Sequence, residues 1–176
     1  MNNIYGIDLG TSNCLAAELD EIYDELEINC LRDKEGNISF PSVIYFAEGG
    51  EIIGQKAQKL LPSYPDNTIE LVKIRMGQIK KEIRVQINNK IEYYSPQEIS
   101  AYFLDYFNQI HENQLEKAVV TVPAYFDQNQ RQATLQAGEI ADINIVELID
   151  EPAAEILYHI FDYYKKNNHI DLKEKK

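Results

Sequence analysis

The chain has 176 residues, enough for one domain of ordinary size with a buried core. Apolar residues make up 44% and charged residues 26%, close to the average for globular proteins, and the net charge of -12 argues against a general nucleic-acid surface, which needs clustered Lys and Arg. No stretch approaches the roughly 18 apolar residues of a membrane span, and the start Met1-Asn2-Asn3-Ile4-Tyr5 lacks the basic and apolar regions of a secretory signal. Cys14 and Cys30 match no metal-ligand spacing and read as reduced structural thiols of a cytoplasmic protein.

In chain order, strands are expected at Ile4 to Leu9, Asn13 to Leu19, and Glu25 to Leu31, the last with Leu26, Ile28 and Cys30 on one face. Glu35-Gly36-Asn37 reads as a turn and Ser42 to Phe46 as a strand. Helices are expected at Gln55 to Leu61 and Asn67 to Met76, separated by Pro62 and Pro65. Lys81 to Glu92 alternates like a strand around a turn at Asn88-Asn89. The strongest helix signal runs from Ser95 to about Asn113. Ser95 suits the N-cap, Pro96 the first turn and Glu98 the capping box, and Ile99, Tyr102, Phe103, Tyr106, Phe107 and Ile110 form one apolar stripe.

From Lys117 onward strands and helices alternate. Ala118 to Val122 and Asn144 to Ile149 read as strands buried on both faces, Asp127 caps a helix to about Ala141, and Pro152 opens a helix with Ala153, Ala154, Leu157, Tyr158 and Phe161 on its apolar face. The polar tail from Lys165 is expected to fray. This order implies an α/β fold with parallel pairing in the second half, in which Ile4 to Val43 and Ala118 to Phe161 complete one sheet.

Chemistry concentrates first in Gly6-Ile7-Asp8-Leu9-Gly10-Thr11-Ser12-Asn13-Cys14. A carboxylate at a strand end, a glycine turn, two hydroxyls and an amide can aim backbone N–H groups and side-chain donors at a phosphate. Gly10 would allow close approach or positive φ, and Asp8 offers magnesium a hard oxygen, best reached through retained water. The same residues also fit a plain hairpin with a Gly-Thr-Ser turn. Lys73 alone is compatible with a surface lysine, Glu151 with an acidic residue facing a helix dipole, Pro123 with a strand terminator and Arg131 with a solvated helix residue.

Five blocks in one order alter that balance: the turn above, Glu35-Gly36-Asn37 with Pro41-Ser42-Val43, Asn67-Thr68 with Lys73-x-Arg75-x-Gly77, Val120 to Phe126 with Gln130 to Thr134, and Asp150-Glu151-Pro152-x-Ala154. From residue 4 to about 160 the chain resembles the DnaK-type heat-shock chaperones. The resemblance implies an actin-like ATPase fold, a ribonuclease-H-like sheet with flanking helices, of which this chain carries the first lobe. The inner subdomain would take about 1–39 and 97–176 and the outer about 40–96, with the second lobe and the peptide-binding domain absent.

It further implies ATP or ADP with magnesium as ligands. Gly10, Thr11, Ser12 and Asn13 would form the phosphate turn, Asp8 would hold magnesium through water, and Lys73, Glu151 and Asp8 would serve catalysis. Pro123 and Arg131 would relay nucleotide state to the peptide-binding domain. The implied partners are unfolded polypeptide clients, a J-domain co-chaperone and a nucleotide-exchange factor, in a cytoplasmic stress response, with no nucleic acid and no membrane.

Several positions depart from the family pattern. Ser12 stands where Thr is usual, Ile74 where Arg is usual, Asp150 where Asn is usual, and Glu147 where a basic residue often meets the J-domain. Ser12 keeps the hydroxyl, but Ile74, Asp150 and Glu147 make a non-catalytic interaction or regulatory module of the same fold the competing reading. The second, glycine-rich phosphate loop of the family does not occur in the sequence. By itself the chain is therefore expected to bind nucleotide weakly, with Asp8, Lys73 and Glu151 open to water.

Overall fold

The computed structural model describes residues 4–22, 25–78, 80–87, 90–112 and 115–167. The Asn88-Asn89 turn, the helix end at Asn113 and the tail from 168 onward lie outside the described residues.

Three strands open the chain: β1 (Ile4–Leu9), β2 (Asn13–Ile22) and β3 (Glu25–Cys30). Next come β4 (Ser39–Pro41), β5 (Ile44–Ala47) and β6 (Gly50–Ile53), then helix α1 (Gln55–Leu60) and the short β7 (Thr68–Ile69). A 3-10 helix at Val72–Arg75 precedes the hairpin β8 (Ile83–Ile87) and β9 (Lys90–Tyr94). The chain then alternates α2 (Pro96–Ile110), β10 (Lys117–Val122), α3 (Gln128–Ile140), β11 (Asn144–Asp150) and α4 (Glu151–Lys166).

The main sheet has the order β11-β10-β1-β2-β3, with β4 also paired to β2. β10 pairs in parallel with both β1 and β11, whereas β1, β2 and β3 are antiparallel neighbours. The first strand of the chain is thus central, and segments from both ends complete one sheet around it. β6, β5 and β7 form a second sheet, and β8 with β9 a third.

One face of the main sheet is closed. Tyr5, Ile7 and Leu9 of β1, Cys14 and Ala16 of β2, and Ala118 and Val120 of β10 join Phe103, Leu104 and Phe107 of α2 in one buried cluster. The helix lies there because its stripe repeats every three or four residues and Ser95 and Glu98 close the capping box at its start. Asp127 and Gln130 form the same device for α3.

The structure corrects five of the expected elements. Asn67 to Met76 is not one helix: Thr68 pairs with Tyr45 in the second sheet, and Leu71 sits at φ 57 before the 3-10 turn begins. The strand expected from Ser42 to Phe46 starts only at Ile44, because Ser42 turns its backbone N–H to the Ser12 carbonyl, and a separate short strand, β4, precedes it. β6 was hidden by its neighbouring glycines, Gly49 and Gly50. β10 is buried on one face only, and β11 is an edge strand with no fully buried residue, so neither has two covered faces. Finally, α4 forms over the expected range but buries no residue; Leu157 and Tyr158 are both 54% exposed.

Candidate functional site

The site begins at the C-terminal end of β1. The parallel register sets Asp8 beside Thr121 of β10, and the Thr121 hydroxyl donates to Asp8 Oδ1 at 2.8 Å. The chain then reverses through Gly10 to Asn13 into β2. A Cβ at Gly10 would lie 2.1 Å from the Asn13 carbonyl oxygen, so the turn itself excludes any side chain there. Gly10 is not among the glycines at positive φ, so its requirement is one of space.

Ser42 holds this turn from beneath. Its Oγ donates to the Gly10 carbonyl at 2.7 Å, its backbone N–H donates to the Ser12 carbonyl at 2.9 Å, and Cys14 Sγ lies 3.2 Å from the same Oγ. Burial pushes the Cys14 thiol up to about 12, which leaves it a neutral packing group near neutral pH. The side chains of Ser12 and Asn13 remain exposed at the tip.

Lys73 enters from the 3-10 helix. Leu71 takes a left-handed conformation before it, and Gly77 follows at φ 86, where a Cβ would come within 3.2 Å of the Gln130 backbone nitrogen. Gly77 thus packs on the start of α3, while the 3-10 helix itself lies against α2. The lysine is only 8% exposed, and its Nζ donates to Glu151 Oε1 at 2.7 Å and lies 3.9 Å from Asp8 Oδ1. Burying an ammonium is costly unless it is paired, and the two carboxylates supply that compensation. Lys73 is therefore not open to water as the sequence suggested, while Asp8 and Glu151 are partly exposed, at 39% and 44% of their side chains.

Glu151 begins α4 directly after β11, and the preceding Asp150 pairs with the Arg131 guanidinium. The Arg131 Nε–H also donates to the Phe126 carbonyl at 3.2 Å, so this arginine is a tethered residue between α3 and β11 rather than a solvated one. Pro123 is buried, and its carbonyl accepts from the Phe126 N–H at 3.0 Å in the turn that leads into α3. Ile74 is 64% exposed, and Glu147 is exposed on the edge strand β11.

The fold thus brings Asp8, the turn from Gly10 to Asn13, Lys73 and Glu151 to one end of the main sheet, with Pro123 and Arg131 on the adjoining α3 side. Thr121 and Ser42 complete it and were not singled out from the sequence as site residues. Both lie inside the motif blocks, but only the register and the tertiary path reveal what their hydroxyls touch. Among the described residues no group of three or more His, Cys, Asp or Glu could cage a metal ion. Magnesium bound with a nucleotide needs none, because one or two carboxylates, water and phosphate oxygens satisfy it, and the Asp8 carboxylate fits that donor set.

A glycine turn at the end of a central strand, a buried lysine and a carboxylate at the next helix start, all on this sheet order, define the first lobe of an actin-like ATPase fold. The family profile described as Hsp70 protein matches residues 4–174, and the chain belongs to that family. It is 40% identical over 164 residues to the chaperone protein DnaK of Methanothermobacter thermautotrophicus, covering 90% of this chain and 27% of the relative. It is 38% identical over 175 residues to that of Nitrosopumilus maritimus, covering 97% of this chain and 27% of the relative. Against that of Mycoplasmopsis agalactiae it is 39% identical over 171 residues, covering 95% and 27%. The chain spans about a quarter of the length of the curated relatives it matches. Among the described residues no helix is long and apolar enough to cross a membrane.

Proposed function

We propose that this chain supplies the γ-phosphate side of the ATP site of an ATP-dependent chaperone. The observation that carries the reading is the buried Lys73, held between Asp8 and Glu151 beside the turn from Gly10 to Asn13. A preorganised ammonium in a site of low dielectric stabilises the charge that develops on a transferring phosphoryl group. Backbone N–H groups and the hydroxyls of Thr11 and Ser12, with the Asn13 amide, would hold phosphate oxygens. Asp8 would hold magnesium through water, the ion that neutralises phosphate charge when bound, and Glu151 would orient the attacking water.

The inner subdomain would comprise about 1–39 and 97–176 and the outer about 40–96, with Lys73 carried by the outer one into the cleft. Pro123 and Arg131 would relay the nucleotide state toward a peptide-binding domain and its unfolded clients. A nucleotide-exchange factor, and a J-domain partner disfavoured by the charge of Glu147, would act on the complete protein in the cytoplasm. Asp150 weakens this reading less than its charge suggests, because Arg131 compensates it. That removes one of the three departures favouring a non-catalytic module. Residues 1–176 by themselves would hold nucleotide weakly.

The test joins residues 1–176 to the remaining three quarters of the Methanothermobacter chaperone and follows single-turnover ATP hydrolysis. Lys73→Ala should slow the chemical step by about 10²–10³ with nucleotide affinity nearly kept. An unchanged rate removes Lys73 from the mechanism; a chimaera that binds ATP without turning it over favours the non-catalytic module.

A further inference from the structure

A second cavity, of about 360 Å³, lies away from the phosphate turn and shares no lining residue with it. Its walls come from β6, the start of α1, the middle of α2 and the turn at Glu35. The size falls within the range of small-ligand pockets.

Two tyrosines of α2 form one wall, and the core fixes both. The Tyr106 ring meets the buried Phe40 edge-on at 4.8 Å and 82°, and the Tyr102 ring meets the buried Phe46 at 5.5 Å and 85°. Around them stand three carboxylates, Glu35, Glu51 and Asp105, against two lysines, Lys34 and Lys56. Glu35 already binds Lys56 at 2.8 Å, whereas Asp105 accepts the neutral amide of Gln109 at 2.7 Å. Burial, and after it the charge of Glu51, holds the Tyr102 phenol above its ordinary value; burial, then Asp33 and Glu35, does the same for Tyr106. The cavity lining therefore carries one net negative charge beside two tyrosine rings held by the core, with Glu51 on β6, Asp105 on α2, and Ile52 and Ile53 also in the lining.

We propose that this cavity binds a linear aliphatic polyamine. An ammonium at each end would face Glu51 and Asp105, the methylene chain between them would lie along the tyrosine rings by apolar contact, and an inner ammonium over a ring face would add cation–π attraction. A hard metal ion is a poorer match, because it wants an oxygen cage and gains little from aromatic faces. An anion meets the wrong sign of charge.

Calorimetric titration of the 176-residue chain with spermidine, at about 0.15 M salt where diffuse attraction is screened, tests the assignment. Saturable one-to-one binding is expected, weakened about tenfold by Glu51→Gln and by Asp105→Asn, kept by Tyr106→Phe and reduced by Tyr106→Leu. Glu139→Gln, an exposed carboxylate on α3, should leave it unchanged, and millimolar magnesium should not displace it. If Tyr106→Leu lowers the thermal midpoint sharply, Asp105→Asn decides. The proposal fails if no saturable heat appears, if magnesium displaces the ligand, or if Glu139→Gln weakens binding as much as Glu51→Gln does. That last result would mean only diffuse attraction to the net charge of -12. A failed polyamine site leaves the ATP reading untouched, since no residue is shared.

Discussion

The two faces of the main sheet differ sharply. On one, Tyr5, Ile7, Cys14, Ala16 and Val120 are at most 2% exposed beneath α2. On the other, Ile4 is 51%, Leu15 37%, Leu19 51% and Ile28 46% exposed, and Asp8 and Thr121 lie on this side too. α4 repeats the pattern, with Ile156, Tyr158, Ile160 and Tyr163 all 47% exposed or more. Alternation in a strand encodes two faces equally well. What it cannot encode is whether anything covers the second one. An apolar residue on the open face still marks an intended contact, since exposed apolar surface on this scale is unusual for a monomer.

The two cysteines test this contrast with the largest expected effect. Cys14 lies on the closed face with its thiol pushed up to about 12 by burial, while Cys30 is exposed and pairs with Ala17 on the open face. Iodoacetamide near neutral pH should modify Cys30 completely and leave Cys14 untouched until the chain is denatured, as read by mass spectrometry of peptides. Native labelling of Cys14 would show that the closed face opens readily.

Large-to-small substitutions come next. Leu104→Ala, at a fully buried position of α2, should cost about 2–5 kcal/mol in urea unfolding. Leu157→Ala on α4 should cost less than about 0.5 kcal/mol. Equal costs would mean that α4 packs far more tightly than its 54% exposure implies.

Between these falls Gly10→Val, which places a side chain against the Asn13 carbonyl where the two faces meet at the end of β1. It should destabilise the chain by roughly 1–3 kcal/mol. A ligand-approach role alone would leave stability unchanged, so the unfolding curve separates a steric requirement of the turn from one of the nucleotide.

The smallest effect concerns the open end itself. Millimolar magnesium-ATP should raise the melting temperature of residues 1–176 only slightly, because stabilisation follows ligand concentration over dissociation constant. A large shift would show that residues 1–176 bind nucleotide well by themselves.

Much of the architecture was legible because local signals agreed with one another. Ser95, Pro96 and Glu98 fixed the start of α2, Asp127 that of α3, and the alternation from Ile4 to Leu19 the first hairpin. Asn67 to Met76 misled because its residues tolerate a helix, while the pairing of Thr68 and the left-handed Leu71 are tertiary choices. β11 looked doubly buried because a short apolar run cannot say whether it is an edge. At the site, the motifs located Asp8, Gly10, Lys73 and Glu151, but not the burial of Lys73 or its pairing. A contact across 78 residues has no local signature. The same holds for Arg131 and Asp150: one read as a solvated helix residue and the other as a departure, and their charges neutralise one another in space.

The central place of β1 bears on how the chain is made. Its hydrogen-bonding edge toward β10 waits for residues Lys117 to Val122, and the Asp8–Thr121 bond closes over 113 positions. At a ribosomal pace of about 5–20 residues per second, that delay lasts roughly 6–23 s. During that interval β1 has one partner from the hairpin and one bare edge, the kind of edge that recruits foreign strands. A polypeptide of the Hsp70 family thus passes, early in its own synthesis, through the condition of a client.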